Sequence, residues 1–243
     1  MSVQAQALLA QIRNPDLWGT GYDFEATNAI AIWKWAEASS QLDIQAEIAS
    51  VVATQYLLNH RHTDALKKRF QDLASKAQAS ARWKHYVGFL EGLSTLAEAD
   101  WEQKETTEEE ICRIYAQLAD AERHVWHLDQ LATVYIRLKA FEQAKQVLVE
   151  AYRISQEAQF TKGIGQVLLR IGLLLKAEGK LADACRFLYQ AKGIFDSIHS
   201  LCSITARDIL NGIAEEHQIT KTDYETTDSV ERANFSVLTK VSK

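Results

Sequence analysis

The hydrophobic positions of the chain recur at helical spacing in two consecutive hairpins whose registers differ by forty residues. The first hairpin has apolar or small residues at Leu128, Leu131, Ala132, Tyr135, Phe141, Ala144, Leu148, Ala151 and Ile154. The second has them at Leu168, Ile171, Gly172, Leu175, Leu181, Ala184, Leu188, Ala191 and Ile194. Internal similarity at such a period predicts a repeat architecture, in which each unit buries its apolar face against its neighbours.

Weaker copies of the same pattern flank the two clear repeats, which occupy 125–157 and 163–197. The segment 46–78 fits moderately, although Arg69 lies where a large apolar residue is expected, and 1–40, 81–122 and 203–243 fit weakly or act as caps. The charged stretch 100–110 predicts a longer turn, and Asp228 predicts the start of a final helix. The chain is therefore expected to form a single repeat domain over 1–243 with five to six hairpins.

Composition supports helices nearly throughout. The 243 residues include one proline, Pro15, and ten glycines. Because proline removes a helix hydrogen bond and clashes with the preceding turn, its scarcity permits long helices. No convincing alternation of the strand period is present, so the predicted fold class is all-α.

The repeated positions resemble the tetratricopeptide-repeat family, in the longer variant of about forty residues. That family alternates a helix with a large residue, a small residue and an aromatic with a helix of Ala, large residue and Ala. The matching residues are Leu128, Ala132, Tyr135, Ala144, Leu148 and Ala151, and then Leu168, Gly172, Leu175, Ala184, Leu188 and Ala191. The resemblance implies a right-handed α-solenoid whose first helices line a concave groove for a peptide or a helix.

First-helix residues that packing does not use are the candidates for this groove, and they form the expected partner-binding set. They are Trp126, Asp129, Thr133, Ile136, Arg137, Gln166, Leu169, Arg170, Leu173 and Lys176, and a weaker hairpin adds Phe89, Leu93 and Leu96. The surface is apolar in places and has three cations, which suits an amphipathic helix or an extended peptide with acidic residues. Alternatively, the apolar members Phe89, Leu93, Leu96, Leu169 and Leu173 are core residues, since helical apolar stripes usually pack.

Candidate chemistry is sparse. His124 and His127 are three residues apart, a spacing at which two ligands can share a metal, but they fall at a predicted turn and are expected to be surface or capping residues. The run from Lys162 to Gly165 hints at an anion site before a helix, yet it lacks a phosphate-binding glycine pattern and is expected to be a turn between repeats. We therefore expect no catalytic residues, no cofactor and no metal.

Charge and targeting signals narrow the class of partner. The net charge of −5 shows no basic footprint for nucleic acid. We see neither a signal peptide nor an apolar run long enough to insert in a membrane, and three unpaired cysteines fit a reducing compartment, so a cytoplasmic location is expected.

The resulting prediction is a non-enzymatic scaffold or adaptor that binds a protein or peptide. One alternative is a regulatory subunit or sensor that binds a small peptide or inhibits a partner protein. A metal-dependent enzyme built on the histidines is a third. The sequence predicts neither the partner nor the oligomeric state.

Overall fold

The computed structural model describes residues 26–58, 63–220 and 224, and in these residues the chain is all-helical, without strands. The all-α prediction is therefore confirmed for the part that the structure describes. The final helix expected after Asp228 lies outside these residues. The helices are α1 (Ala26–Ala38), α2 (Leu42–Leu58), α3 (Asp64–Ala79), α4 (Trp83–Leu96), α5 (Trp101–Leu118), α6 (Ala121–Arg137), α7 (Phe141–Glu157), α8 (Thr161–Ala177), α9 (Leu181–Ser197) and α10 (Cys202–Glu216).

The chain divides into two compact units, Met1–Ile114 and Tyr115–Lys243. In the first unit α1 packs on α2, and α4 packs on both α2 and α3. Its core is centred on the ring of Phe70, which lies 5.3 Å from Trp33 and 6.3 Å from Phe89 between centroids. The single repeat domain over 1–243 stays a prediction.

The second unit contains the two register-matched hairpins. Each of its helices packs on the next, from α6 to α10, and α6 also contacts α8. Leu148 and Leu188, which are forty residues apart, are both completely buried. Their small neighbours Ala144 and Ala184 are also completely buried, so the two hairpins use the same positions to pack.

The turns of the second unit repeat more strictly than its helices. A residue with positive φ ends each turn at Ala119, Lys139, Gln159, Gly179 and His199, every twenty residues. At Gly179 the amide donates to the carbonyl of Lys176, and the next amide donates to Leu175, which is the Schellman motif that ends many helices. Only one of these five positions is glycine, so the conformation is imposed mainly by the packing of the helices that it joins.

Substitution at the turns tests this regular geometry. Gly179 has φ +78 and no atom within 4 Å of a built Cβ, so Gly179→Ala adds only backbone strain. We expect this variant to lose about 1 kcal/mol of unfolding free energy, measured by urea denaturation. Gln159→Gly, at φ 54, relieves the same strain and should cause no such loss. Equal losses in both variants would contradict the strain argument.

The prediction of a longer turn over 100–110 is wrong, because α5 begins at Trp101 and runs through the charged stretch. The side chain of Asp100 accepts a hydrogen bond from the amide of Gln103 and so caps the helix. Glu108 faces inward, where its carboxylate accepts a hydrogen bond from the hydroxyl of Ser94, and both residues are 3% exposed. A helix-initiating cap and a buried partner outweigh the repulsion among the neighbouring carboxylates.

Helix α10 has an exposed polar face. Asp208, Asn211 and Glu215 are exposed, whereas residues forty positions earlier, such as Ile171, are buried. On its other side α10 packs on α9. Asp208 lies forty positions after the buried Leu168 and is itself exposed, so the polar side chain at this position of the repeat meets water.

Candidate protein-binding face

The helices α6 and α8 contact each other and together present an open surface in the second unit. We call this surface the α6/α8 face. Arg137 and Lys176 on it are exposed, and the other members are partly exposed. Its residues are Trp126, Thr133, Ile136 and Arg137 from α6, and Gln166, Leu169, Leu173 and Lys176 from α8. All eight belong to the set expected from the sequence.

An ion pair joins the two helices in the middle of this face. Arg170 donates from Nε and Nη2 to the two carboxylate oxygens of Asp129, at 2.8 and 2.6 Å. The side chains are 19% and 9% exposed, so water screens the pair weakly. Burial lowers the pKa of Arg170, but the charge of Asp129 and the hydrogen bonds outweigh it, and the pKa is raised overall. Arg170 therefore stays charged and is used within the fold.

This pairing changes the charge expected for the face. Of the three cations in the predicted set, Arg170 is neutralised by a carboxylate that is itself in the set. The two exposed cations, Arg137 and Lys176, lie in the last turns of α6 and α8. Both side chains therefore lie at the edge of the face that the C-terminal ends of the two helices form.

Aromatic contacts fix the opposite end of the face. Trp126 meets the ring of His127 edge-on, with 4.6 Å between centroids. His127 in turn stacks on Tyr115 at 5.2 Å. Because His127 is 2% exposed, it supports the partly exposed indole from below. The arrangement holds a large amphipathic ring at the surface, the side-chain type most often found at binding hot spots.

The two histidines expected at a turn lie instead within α6 and are buried. His124 is 8% exposed and packs near Glu150 and Arg153 of α7. The turn is shorter than expected because Asp120 caps the helix, accepting from the amide of Arg123. Among the described residues, no group of three or more His, Cys, Asp and Glu side chains is arranged to hold a metal ion.

Burial of His124 predicts an acid-sensitive fold. Burial lowers the pKa of His124, helped by His127 and Arg153 and opposed by Glu150. As the pH falls through about 6.5, the unfolded chain therefore takes up a proton before the folded chain does, and stability decreases. We expect His124→Gln to flatten this decrease, by at most about 1.4 kcal/mol per pH unit, in urea unfolding between pH about 7.5 and 5.5. An unchanged slope in the variant would contradict the assignment.

The candidate residues in the first unit are placed differently. Phe89 is completely buried, and Leu93 and Leu96 are 8% and 6% exposed. They lie on α4, which α2 and α3 cover. These three side chains pack in the core of the first unit and contribute nothing to the open surface described above.

The glycines near the start of α8 serve packing. The helix begins at Thr161, so the run that includes Gly163 and Gly165 is not the turn that the sequence predicts. A Cβ at Gly163 would meet the ring of Phe160, and one at Gly165 would meet Phe195 at 2.7 Å. Close approach of aromatic rings accounts for both glycines.

The Asp129–Arg170 link is the feature that sequence reasoning missed. The two residues are separated by 41 positions, one more than the repeat. Residues offset by one repeat lie side by side on neighbouring first helices, so opposite charges at this offset are a readable signal. The sequence predicts two separate surface charges, whereas in the structure the two side chains form an ion pair.

Comparisons with known proteins identify structural similarity at low sequence identity. No family model matches it, and no curated relative does. Among solved structures, it is similar to the crystal structure of BtubC (BKLC) from P. vanneervenii, with 12% sequence identity and a TM-score of 0.46. The likeness covers 94% of this chain and 98% of that one.

No helix in the described ranges combines the length and the apolar character that crossing a membrane requires.

Proposed function

We propose that this chain is a non-enzymatic scaffold or adaptor that binds a protein or peptide through the α6/α8 face. The observation that supports this most strongly is the mixture of side chains on that face. Partly exposed apolar residues such as Ile136, Leu169 and Leu173 lie beside the supported ring of Trp126, with exposed cations at one edge. Apolar anchors surrounded by polar residues are typical of protein-binding surfaces.

The rigidity of the face supports the same proposal. The Asp129–Arg170 pair joins the two helices, and His127 holds Trp126 from below. A surface whose side chains are already fixed loses little conformational entropy when a partner binds. The helices thus present a preformed surface, which suits a scaffold.

Truncation of the apolar anchors tests the proposal. We expect the double variant Ile136→Ala, Leu173→Ala to lose at least about tenfold in affinity for proteins captured from a lysate of the source cell. Val149→Ala, at an apolar position of α7 that is 37% exposed, is the matched control and should retain the same proteins. Circular dichroism confirms that both variants keep their helices.

Two results would contradict the proposal. If both variants retain the same partners, the binding surface lies elsewhere on the chain. If wild-type protein captures nothing above the level of an unrelated helical protein, the chain is not a protein-binding scaffold.

A further inference from the structure

We propose that an apolar patch at the junction of α9 and α10 is covered by residues 228–241 of the same chain, folded as an amphipathic helix. The patch consists of Ile198, Leu201 and Ile204, and we call it the α9/α10 patch. It lies on other helices than the α6/α8 face, so the inference does not depend on the proposed function.

The α9/α10 patch groups three large apolar side chains that are open to solvent. Ile198 is 37% exposed, Leu201 is 64% exposed and Ile204 is 45% exposed. Leu201 and Ile204 are three residues apart and therefore lie on one side of the start of α10. Further along this helix Asp208 and Glu215 are exposed, so its surface is apolar only where it begins. Single exposed apolar residues are common, but a group of them indicates a docking site.

An aromatic contact brings the chain beyond α10 back to α9. Tyr224 lies against Tyr189, with 5.8 Å between the ring centroids and 53° between the ring planes. Four residues join α9 to α10, so the two helices form an antiparallel hairpin and Glu216 lies near the start of α9. Since Tyr189 is further along α9, the chain between Glu216 and Tyr224 advances towards the end of α9, where the patch lies.

The sequence after Tyr224 has the pattern of a helix with one apolar side. Asp228 and Glu231 are the residue types, at the spacing, that begin a helix. Apolar residues then recur at helical spacing, with polar residues between them. They are Val230, Ala233, Val237, Leu238 and Val241.

The contact between the tyrosines sets how far this segment has to reach. Ile198 follows Tyr189 by nine residues, which is about 13.5 Å along a helix. Ala233 follows Tyr224 by the same nine residues. A helix that continues beside α9 in the same direction therefore brings its apolar side level with the α9/α10 patch.

Covalent connection favours this segment over a second copy of the chain. The segment is joined to Tyr224, which already contacts the helix that leads to the patch. A short connection of this kind gives a binding segment an effective concentration in the millimolar range. Burial of its apolar side against the patch then removes apolar surface of both from water.

The reactivity of a thiol placed in the patch tests the inference in the full chain. Ile204→Cys is combined with Cys202→Ser, so that the remaining cysteines, Cys112 and Cys185, are buried. Alkylation of position 204 by iodoacetamide is followed by mass spectrometry. Adding Val237→Glu should increase the rate by about tenfold, because a carboxylate then replaces an apolar side chain of the covering helix.

Thr239→Glu is the matched control, since it introduces the same charge in the same segment. Thr239 is two residues from Val237 and so faces the other side of the proposed helix. This variant should leave the alkylation rate unchanged. The rate should also be constant over about a hundredfold range of protein concentration, because the covering segment belongs to the same chain.

Two results would overturn the inference. Equal rates with Val237→Glu and Thr239→Glu would show that the apolar side of 228–241 does not cover the patch. A rate that increases on dilution would show that a second copy of the chain covers it. Neither result bears on the α6/α8 face, whose test uses other variants and another measurement.

Discussion

Replacing Arg170 by alanine is expected to lower the free energy of unfolding by about 3 kcal/mol, because the substitution leaves the carboxylate of Asp129 buried without a partner. Asp129 is 6% exposed and accepts both hydrogen bonds from the guanidinium. Urea denaturation followed by circular dichroism measures the loss.

An exposed ion pair provides the matched control. Arg153 and Glu157 on α7 pair at 2.7 Å, but their side chains are 59% and 63% exposed. Pairs in water contribute little, so Arg153→Ala should lose less than about 1 kcal/mol. Equal losses from Arg153→Ala and Arg170→Ala would contradict the role assigned to burial.

A double variant measures the interaction between the two charged side chains apart from the cost of burying each one. Asp129→Asn with Arg170→Gln removes both charges and keeps polar side chains of similar size. We expect this variant to be more stable than the sum of its two single substitutions implies, by about 1–3 kcal/mol. Strict additivity would indicate that the two residues act independently.

This pair also decides how the binding surface can be tested. Charge reversal at Arg170 would place two carboxylates together in a weakly screened site, so lost binding there would report a damaged fold. Lys176 is exposed in the last turn of α8, so its reversal changes the charge at the edge of the face and leaves the Asp129–Arg170 pair in place. Charge reversal in binding experiments therefore belongs at Lys176 and not at Arg170.

The repeat could be predicted from the sequence because packing between neighbouring helices leaves a period in the apolar positions. Leu148 and Leu188 are buried alike for this reason. Gly179 could also be predicted, since glycine is the residue that most readily adopts the left-handed conformation at a helix end.

Other features depend on neighbours that a single helix pattern does not show. An apolar stripe such as Phe89 and Leu93 reads the same on an open face and under a covering helix, and here α2 and α3 cover it. Arg69 fits the structure because its Nε lies 2.9 Å from a carboxylate oxygen of Glu37 on α1 and its side chain is 39% exposed. Which residues of the α6/α8 face are open likewise follows from the packing of whole helices.

Close contact between α2 and α4 in the first unit leads to the second large effect. Gly88 lies where α4 crosses α2, and a Cβ there would overlap the carbonyl oxygen of Ala46 and lie 2.9 Å from its carbonyl carbon. These are backbone atoms within α2. Gly88→Ala can be accommodated only if the two helices move apart, which disturbs the core around Phe70. We expect a loss of about 3 kcal/mol in unfolding free energy.

Gly193→Ala is the matched control, and its effect on the free energy of unfolding is expected to have the opposite sign. Gly193 is exposed within α9 and has no atom within 4 Å of a built Cβ, so Gly193→Ala only removes the flexibility of glycine from a helix. This variant should be more stable than wild type by about 1 kcal/mol. The same chemical change then has opposite signs, because one glycine permits a helix crossing and the other faces water. If Gly88→Ala were also neutral or stabilising in urea denaturation, the close packing of α2 on α4 would be wrong.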